Sequence, residues 1–351
     1  MKRKVIAFAL IGATSAYAMA DDEDAVKSVG GGSSSVTIYG VADMGITREG
    51  GGPGGTVYRM TSGGMSGSRI GFRGIEDLGG GLAAIFGMEA GVYMDTGASA
   101  QGGVLFGRQS YVGLTGKGGE LTMGRLYSFM DKHLARVDPF VTNSPAQMDN
   151  LLVKGYTVRA ENGVKYVTPS MNGVKVGVMT GLGEVAGDFS AKRYLGGVLS
   201  YENGPLYVGV AHQNLNTLSA TNVKGKNNKT LFGGSYDFKV VRMHLGYAIN
   251  KTTEGAATTE DTRDYALGAS VPVFGTDHVL ADVVFRKDRS STSNNARMYG
   301  VGYLHALSKR TSLYTVYARV SNTNKAAYTI APSAAGGAGT NALMLGVRHI
   351  F

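Results

Sequence analysis

Four arginines lie inside stretches that otherwise alternate between apolar and polar residues: Arg69, Arg108, Arg125 and Arg159. Arginine keeps its charge at any ordinary pH and offers only donors, so its chemistry is electrostatic: it draws and orients anions. The sequence offers little that could catalyse. It has no cysteine, hence no thiolate nucleophile, thiolate metal site or disulfide. The six histidines, at 133, 212, 244, 278, 305 and 349, show no ligand spacing, so no metal is expected. The run Gly50-Gly51-Gly52-Pro53-Gly54-Gly55 fits G-x-G-x-x-G, but Pro53 and polar surroundings mark a surface loop rather than a strand-to-helix turn. No G-x-S-x-G elbow occurs, and basic residues are dispersed rather than clustered with stacking aromatics. Neither a cofactor nor a nucleic-acid partner is therefore expected, and the chain reads as no enzyme. What is left is a set of fixed charges that needs walls to hold it.

The composition limits what those walls can be. The 351 residues include 54 glycines but only 7 prolines, and 43% are apolar. A mean hydropathy of −0.04 is too apolar for disorder and too polar for a bundle of membrane helices. Lys2, Arg3 and Lys4 precede an apolar run from Val5 to Ala13, then the triplets Ala16-Tyr17-Ala18 and Ala18-Met19-Ala20. This is the layout of a secretory signal peptide over residues 1–20, cut after Ala20. Its removal lowers the basic excess from nine to six. Export also argues against ATP- or nicotinamide-dependent chemistry. Residues 21–34 read as an acidic, Gly/Ser-rich leader.

From Val36 onward the dominant period is two. Leu343, Leu345 and Val347 alternate with Ala342, Met344 and Arg348; Leu245 and Tyr247 alternate with His244 and Gly246. Sixteen such runs lie near 35–48, 68–75, 81–94, 105–116, 119–127, 157–168, 173–182, 192–202, 205–215, 229–238, 241–251, 262–272, 278–288, 296–306, 311–321 and 341–351. Short turns such as Asn203-Gly204 alternate with long stretches at 49–67, 95–104, 128–156, 183–191, 216–228, 252–261, 289–295 and 322–340. An even number of strands of about ten residues, tight turns at one rim and long loops at the other, predicts a transmembrane β-barrel rather than a sandwich or propeller. The 19 tyrosines and 12 phenylalanines suit its aromatic girdles. One face of each strand is expected to meet lipid and the other water, and no helix-period segment is expected beyond the signal. Because Arg or Lys on the lipid face costs about 2–4 kcal/mol near the midplane, mid-strand arginines should point inward.

Several segments carry a resemblance: Val36-Thr37-Ile38-Tyr39-Gly40-Val41-Ala42-Asp43, Ser68-Arg69-Ile70-Gly71-Phe72-Arg73-Gly74, Phe106-Gly107-Arg108-Gln109-Ser110-Tyr111, Met123-Gly124-Arg125, Leu307-Ser308-Lys309-Arg310-Thr311 and the terminal Gly346-Val347-Arg348-His349-Ile350-Phe351. From about Val36 to Phe351 the chain resembles the general porins of Gram-negative outer membranes, β-proteobacterial type. The resemblance implies an all-β fold over 35–351: a 16-stranded antiparallel transmembrane β-barrel, with loop 128–156 folded inward as a constriction. It further implies a homotrimer in outer-membrane lipid and lipopolysaccharide, with terminal Phe351 read by the barrel-assembly machinery. The implied function is passive diffusion of small hydrophilic solutes and ions.

In that family, arginines matching these four face a loop that carries carboxylates. The expected opposing acids are Glu89 on the third strand and Asp131, Asp138 and Asp149 in the loop. Such a constriction predicts a transverse field and a modest preference for anions. Alternatives are a porin specialised for one small anionic solute, or a barrel enzyme or adhesin. Two departures stand out: the acidic leader, and a loop from Ser128 to Tyr156 that fits no familiar version.

Overall fold

The computed structural model describes residues 34–141, 143–330 and 339–351. The expected signal peptide (1–20) and residues 21–33 of the leader lie outside the described residues. Among those described, the strands are β1 (Ser35–Gly52), β2 (Gly55–Ser62), β3 (Arg69–Gly79), β4 (Leu82–Gly91), β5 (Gln109–Gly116), β6 (Gly119–Tyr127), β7 (Arg159–Val167), β8 (Val174–Gly181) and β9 (Tyr194–Asn203). They continue with β10 (Leu206–Leu218), β11 (Lys224–Asp237), β12 (Arg242–Glu254), β13 (Ala257–Val273), β14 (Asp277–Asp288), β15 (Ala296–Ala306), β16 (Thr311–Asn322) and β17 (Asn341–Ile350).

Strands β2 and β3 share one wall position: Met44–Glu49 of β1 face Val57–Ser62, while Ser35–Val41 face Arg69–Ile75. The wall therefore has sixteen positions, each antiparallel to its neighbours. It closes because the other edge of β1 pairs with β17, from Val41 opposite Ile350 to Gly50 opposite Asn341. Gly40 and Phe351 complete the seam, each donating its amide to the other's carbonyl at 3.0 and 3.1 Å. Closure leaves no unpaired edge, as a barrel in lipid requires. Aromatic rings cover glycines directly opposite on the next strand: Tyr39 over Gly71, Tyr111 over Gly87 and Tyr314 over Gly346.

The alternation sorts as period two dictates. On β17, Leu343, Leu345 and Val347 are exposed on the outside, while Ala342, Met344 and Arg348 are buried inside. Several loops prove shorter than their composition suggests. The stretch 49–67 is mostly strand, joined by a turn at Pro53-Gly54, and 252–261 shrinks to a turn at Gly255-Ala256. Beyond the membrane both strand faces meet water, so these extensions carry no apolar face to betray them. A helix also stands where none was expected, α1 (Phe129–Val137).

Candidate functional site

The long loop after β6 turns into the barrel. Ser128 opens α1 by accepting the Asp131 amide on its hydroxyl at 3.1 Å, which satisfies one of the helix's orphan donors. Met130, His133, Leu134 and Val137 then fall on one face and are buried. The inner wall is prepared for them by glycines. Phe129 lies over Gly177 of β8; a Cβ added at Gly209 of β10 would meet His133 at 3.0 Å, and one at Gly246 of β12 would meet Val137 at 3.2 Å. The track continues with Gly268 of β13, 2.8 Å from Pro139 on the same measure, and Gly302 of β15, 2.8 Å from Phe140. Any side chain at these positions would lift the loop off the wall.

Above the track, Leu151 and Leu152 of the loop join Leu231, Ala248, Ala266, Leu280, Val284, Met298, Val316 and Met344 of the wall in one buried apolar cluster. Polar clamps fix its far end. Arg286 Nη1 donates to the Leu151 carbonyl (2.7 Å) and to Asp264 (3.0 Å), and Asn250 Nδ2 donates to the Leu152 carbonyl (3.0 Å). Glu260 receives both Arg286 and Lys229. A second inward segment, residues 63–68, is held by Asp43, whose carboxylate accepts the amides of Gly64, Met65 and Ser66 at 3.1, 2.9 and 2.9 Å and the Tyr314 hydroxyl at 2.6 Å. This segment brings Gly67 against the Arg108 guanidinium.

The expected charges divide among three places. Arg69, Arg108 and Glu89 meet: Glu89 is 3% exposed, accepts Arg108 Nε at 2.5 Å and the Tyr39 hydroxyl at 3.0 Å, and lies 3.6 Å from Arg69 Nε. Arg108 precedes β5 rather than lying within it. Arg159 opens β7, donates to the Tyr127 hydroxyl at 2.6 Å and stacks over that ring, where Arg108 also lies, at 5.9 Å from the centroid.

Arg125 does not join them. It shares the phase of exposed Leu121 and Met123 and pairs with Glu161 at 2.5 Å, on a carboxylate side chain that is 68% exposed. It lies two residues from the end of β6, beside a register shift between Gly124 and Leu126, where the lipid penalty that would force it inward no longer operates.

The three loop acids take different partners. Asp131 is buried and accepts the Tyr156 hydroxyl at 2.7 Å. Asp138 ties the loop to itself, accepting the amides of Phe140 (2.8 Å) and Met148 (2.6 Å); burial pushes its carboxyl well up. Asp149 is half-buried, and burial with the neighbouring Asp131 charge pushes its carboxyl up to about 7. Asp43, Tyr127 and Lys132 were not singled out from sequence. Asp43 was within reach, since a mid-strand carboxylate obeys the same lipid-cost argument as the arginines. His244, expected on the polar face, is buried under the loop, 3.3 Å from Ser270 Oγ.

Comparison with known proteins agrees with this architecture. Residues 7–325 match the Gram-negative porin family. The chain is 31% identical to an outer membrane porin protein of Bordetella pertussis, over 90% of this chain and 93% of that one. It is likewise 31% identical to outer membrane porin protein 32 of Delftia acidovorans, over the whole of both. Among solved structures it superposes on an anion-selective porin from Comamonas acidovorans with a TM-score of 0.81, at 29% identity, covering 91% of this chain and 100% of that one. A barrel of sixteen wall positions with an inward loop, matched along its length by outer-membrane porins, belongs to the Gram-negative porin family: a passive channel of the outer membrane and not an enzyme.

Proposed function

We propose that the channel prefers anions, and that Arg69, Arg108 and Arg159 form the strip responsible. The observation that carries this reading is a charge imbalance. Two arginines share one carboxylate, Glu89, and the third is matched to a neutral phenol, Tyr127. Guanidinium groups cannot shed a proton to relieve their repulsion, so the excess positive charge persists and concentrates anions at the narrow point. The similarity to an anion-selective porin supports the same polarity. Glu89 is then the strip's internal counter-charge. Asp131 and Asp149 are the loop acids that temper it, and Asp138 holds the loop's shape.

The same reading makes residues 1–20 a signal peptide and 21–34 an acidic leader. It assembles the barrel as a homotrimer in lipid and lipopolysaccharide, with Phe351 as the mark for barrel-assembly machinery. Small hydrophilic solutes pass without a binding step.

Planar-bilayer reversal potentials in a potassium chloride gradient test it. Wild type is expected to reverse on the anion-selective side, and R69S and R159S to move toward ideal non-selectivity. A cation-selective wild type would overturn the assignment, and saturable block by one anion would mark a specialised channel instead.

A further inference from the structure

We infer that the periplasmic rim of the wall holds a site for one phospholipid. An acyl chain occupies a groove between the β3–β4 and β5–β6 turns, and Lys117 takes the phosphate. The groove has a volume of about 280 Å³ and opens on the outer face of the barrel. Its walls are Leu82, Leu114, Leu121 and Tyr166, each at an exposed position. Leu114 lies opposite Leu121, and Leu121 opposite Tyr166, so the three side chains form one row across β5, β6 and β7.

One step nearer the rim the row has no side chains. Gly116 lies opposite Gly119, and the β3–β4 turn runs through Gly79, Gly80 and Gly81 at φ of +82°, +65° and +81°. Glycine alone adopts three such conformations in succession at little cost, so this turn is bare by necessity. Side chains added at Gly80 or Gly118 would meet nothing within 4 Å, so the hollow is open. The Tyr166 hydroxyl donates to the Gly118 carbonyl at 2.5 Å, which ties the β5–β6 turn to β7 and fixes the groove's outline. Lys117 reaches across to the other turn, its Cε 3.4 Å from where a Cβ at Gly81 would stand.

The occupant follows from place, size and charge. Leu114 and Leu121 are exposed on the lipid face, at the rim of short turns, which in an outer-membrane barrel is the periplasmic one. At about 280 Å³ the groove falls below the roughly 300–1,000 Å³ of a site that encloses a whole small ligand. It therefore takes one chain of a larger molecule. Every acyl chain of the bilayer is equally apolar, so the groove alone would retain none in particular. Retention comes from Lys117, an exposed cation with no carboxylate partner among the described residues. Its stem lies along the apolar groove while its ammonium stands at the level of the headgroups, where an anionic phosphodiester meets it.

Native mass spectrometry of the purified channel in non-ionic detergent, equilibrated with dioleoylphosphatidylglycerol, tests this. Wild type is expected to retain one lipid per chain. K117Q should retain it about fivefold less, and L114W, which fills the groove, should lose it. L245W places the same ring at an exposed position of β12 and should retain lipid as wild type does. Heat-modifiable gel migration confirms that each barrel is folded. The chain has no tryptophan of its own, so quenching of L114W fluorescence by brominated acyl chains is expected to place that position in lipid. An unquenched ring, a lipid-free wild type, retention unchanged in K117Q and L114W, or equal loss in L245W would each overturn the site. A lipid-free wild type whose chains separate in L114W would overturn it in favour of a contact between copies.

Discussion

Two sectors of the inner wall have been given opposite tasks. From β3 to β7 the inward positions include Arg69 and Glu89, which lie 3.6 Å apart, and Lys165, whose Nζ lies 5.8 Å from the Phe129 centroid. From β10 to β17 they include Ala211, Leu231, Ala248, Leu280, Val316, Ala318 and Met344, all buried with the inward segments in one apolar cluster, beside the clamps Lys229, Asn250, Asp264 and Arg286. In β16, Leu313 and Tyr317 face outward and exposed while Tyr314, Val316, Ala318 and Val320 face inward and buried. Such a strand is apolar on both faces, as in a sheet covered on each side. The barrel is thus half a channel and half a folded core whose second layer is its own loop. A division into lipid face and water face describes the first half only.

The contrast can be broken most severely at Phe140, which is fully buried between Gly300 and Gly302. F140A should cost about 3–5 kcal/mol of loop docking, since truncation leaves a cavity where a ring had filled the track. Thermal unfolding followed by gel migration should show the loss, and single-channel records should show raised conductance or frequent steps. A wild-type record and midpoint would mean that the loop is not held by this core.

The loop that covers the second sector is probed at Asp149. Burial favours its neutral form, so docking of the loop is strongest below the ordinary carboxyl range and weakens as pH rises through about 7, where the carboxylate forms beside Asp131. The new negative charge also opposes the arginines. Anion preference is therefore expected to rise as pH falls through about 7, and D149N should hold the acidic-side value throughout. Reversal potentials titrated across neutrality decide this; an equal pH response in D149N would count against it.

The smallest effect belongs to Arg125 of β6. Its partner Glu161 is largely exposed, so R125S should change stability by no more than about 1 kcal/mol. Its reversal potential should match wild type. A loss of anion preference comparable to R159S would return Arg125 to the lumen.

What the sequence disclosed follows from the same division. The strands were legible because lipid imposes an apolar residue at every second position, and Leu343, Leu345 and Val347 obey it. Arg69 was legible through the cost of placing a cation in lipid. The β2 segment was not, since its extension beyond the membrane is wet on both faces. Helix α1 was missed because nine residues give an apolar stripe only two turns long. The loop's path was hidden for a subtler reason: glycines such as Gly268 and Gly302 can equally mark a bend or a place for another chain segment to rest, and composition does not distinguish the two. Arg125 was the hardest to orient, because a bulge and a strand end both suspend the alternation rule.

The seam where Gly40 meets Phe351 has a consequence for how the molecule comes into being. The strands that seal the ring are the first and the last made, and Val41 must find Ile350 across nearly the whole chain. Pairing at such separation is slow. Every partly synthesised chain is an open sheet with two adhesive borders. The protein becomes inert toward its neighbours only when those two borders have joined.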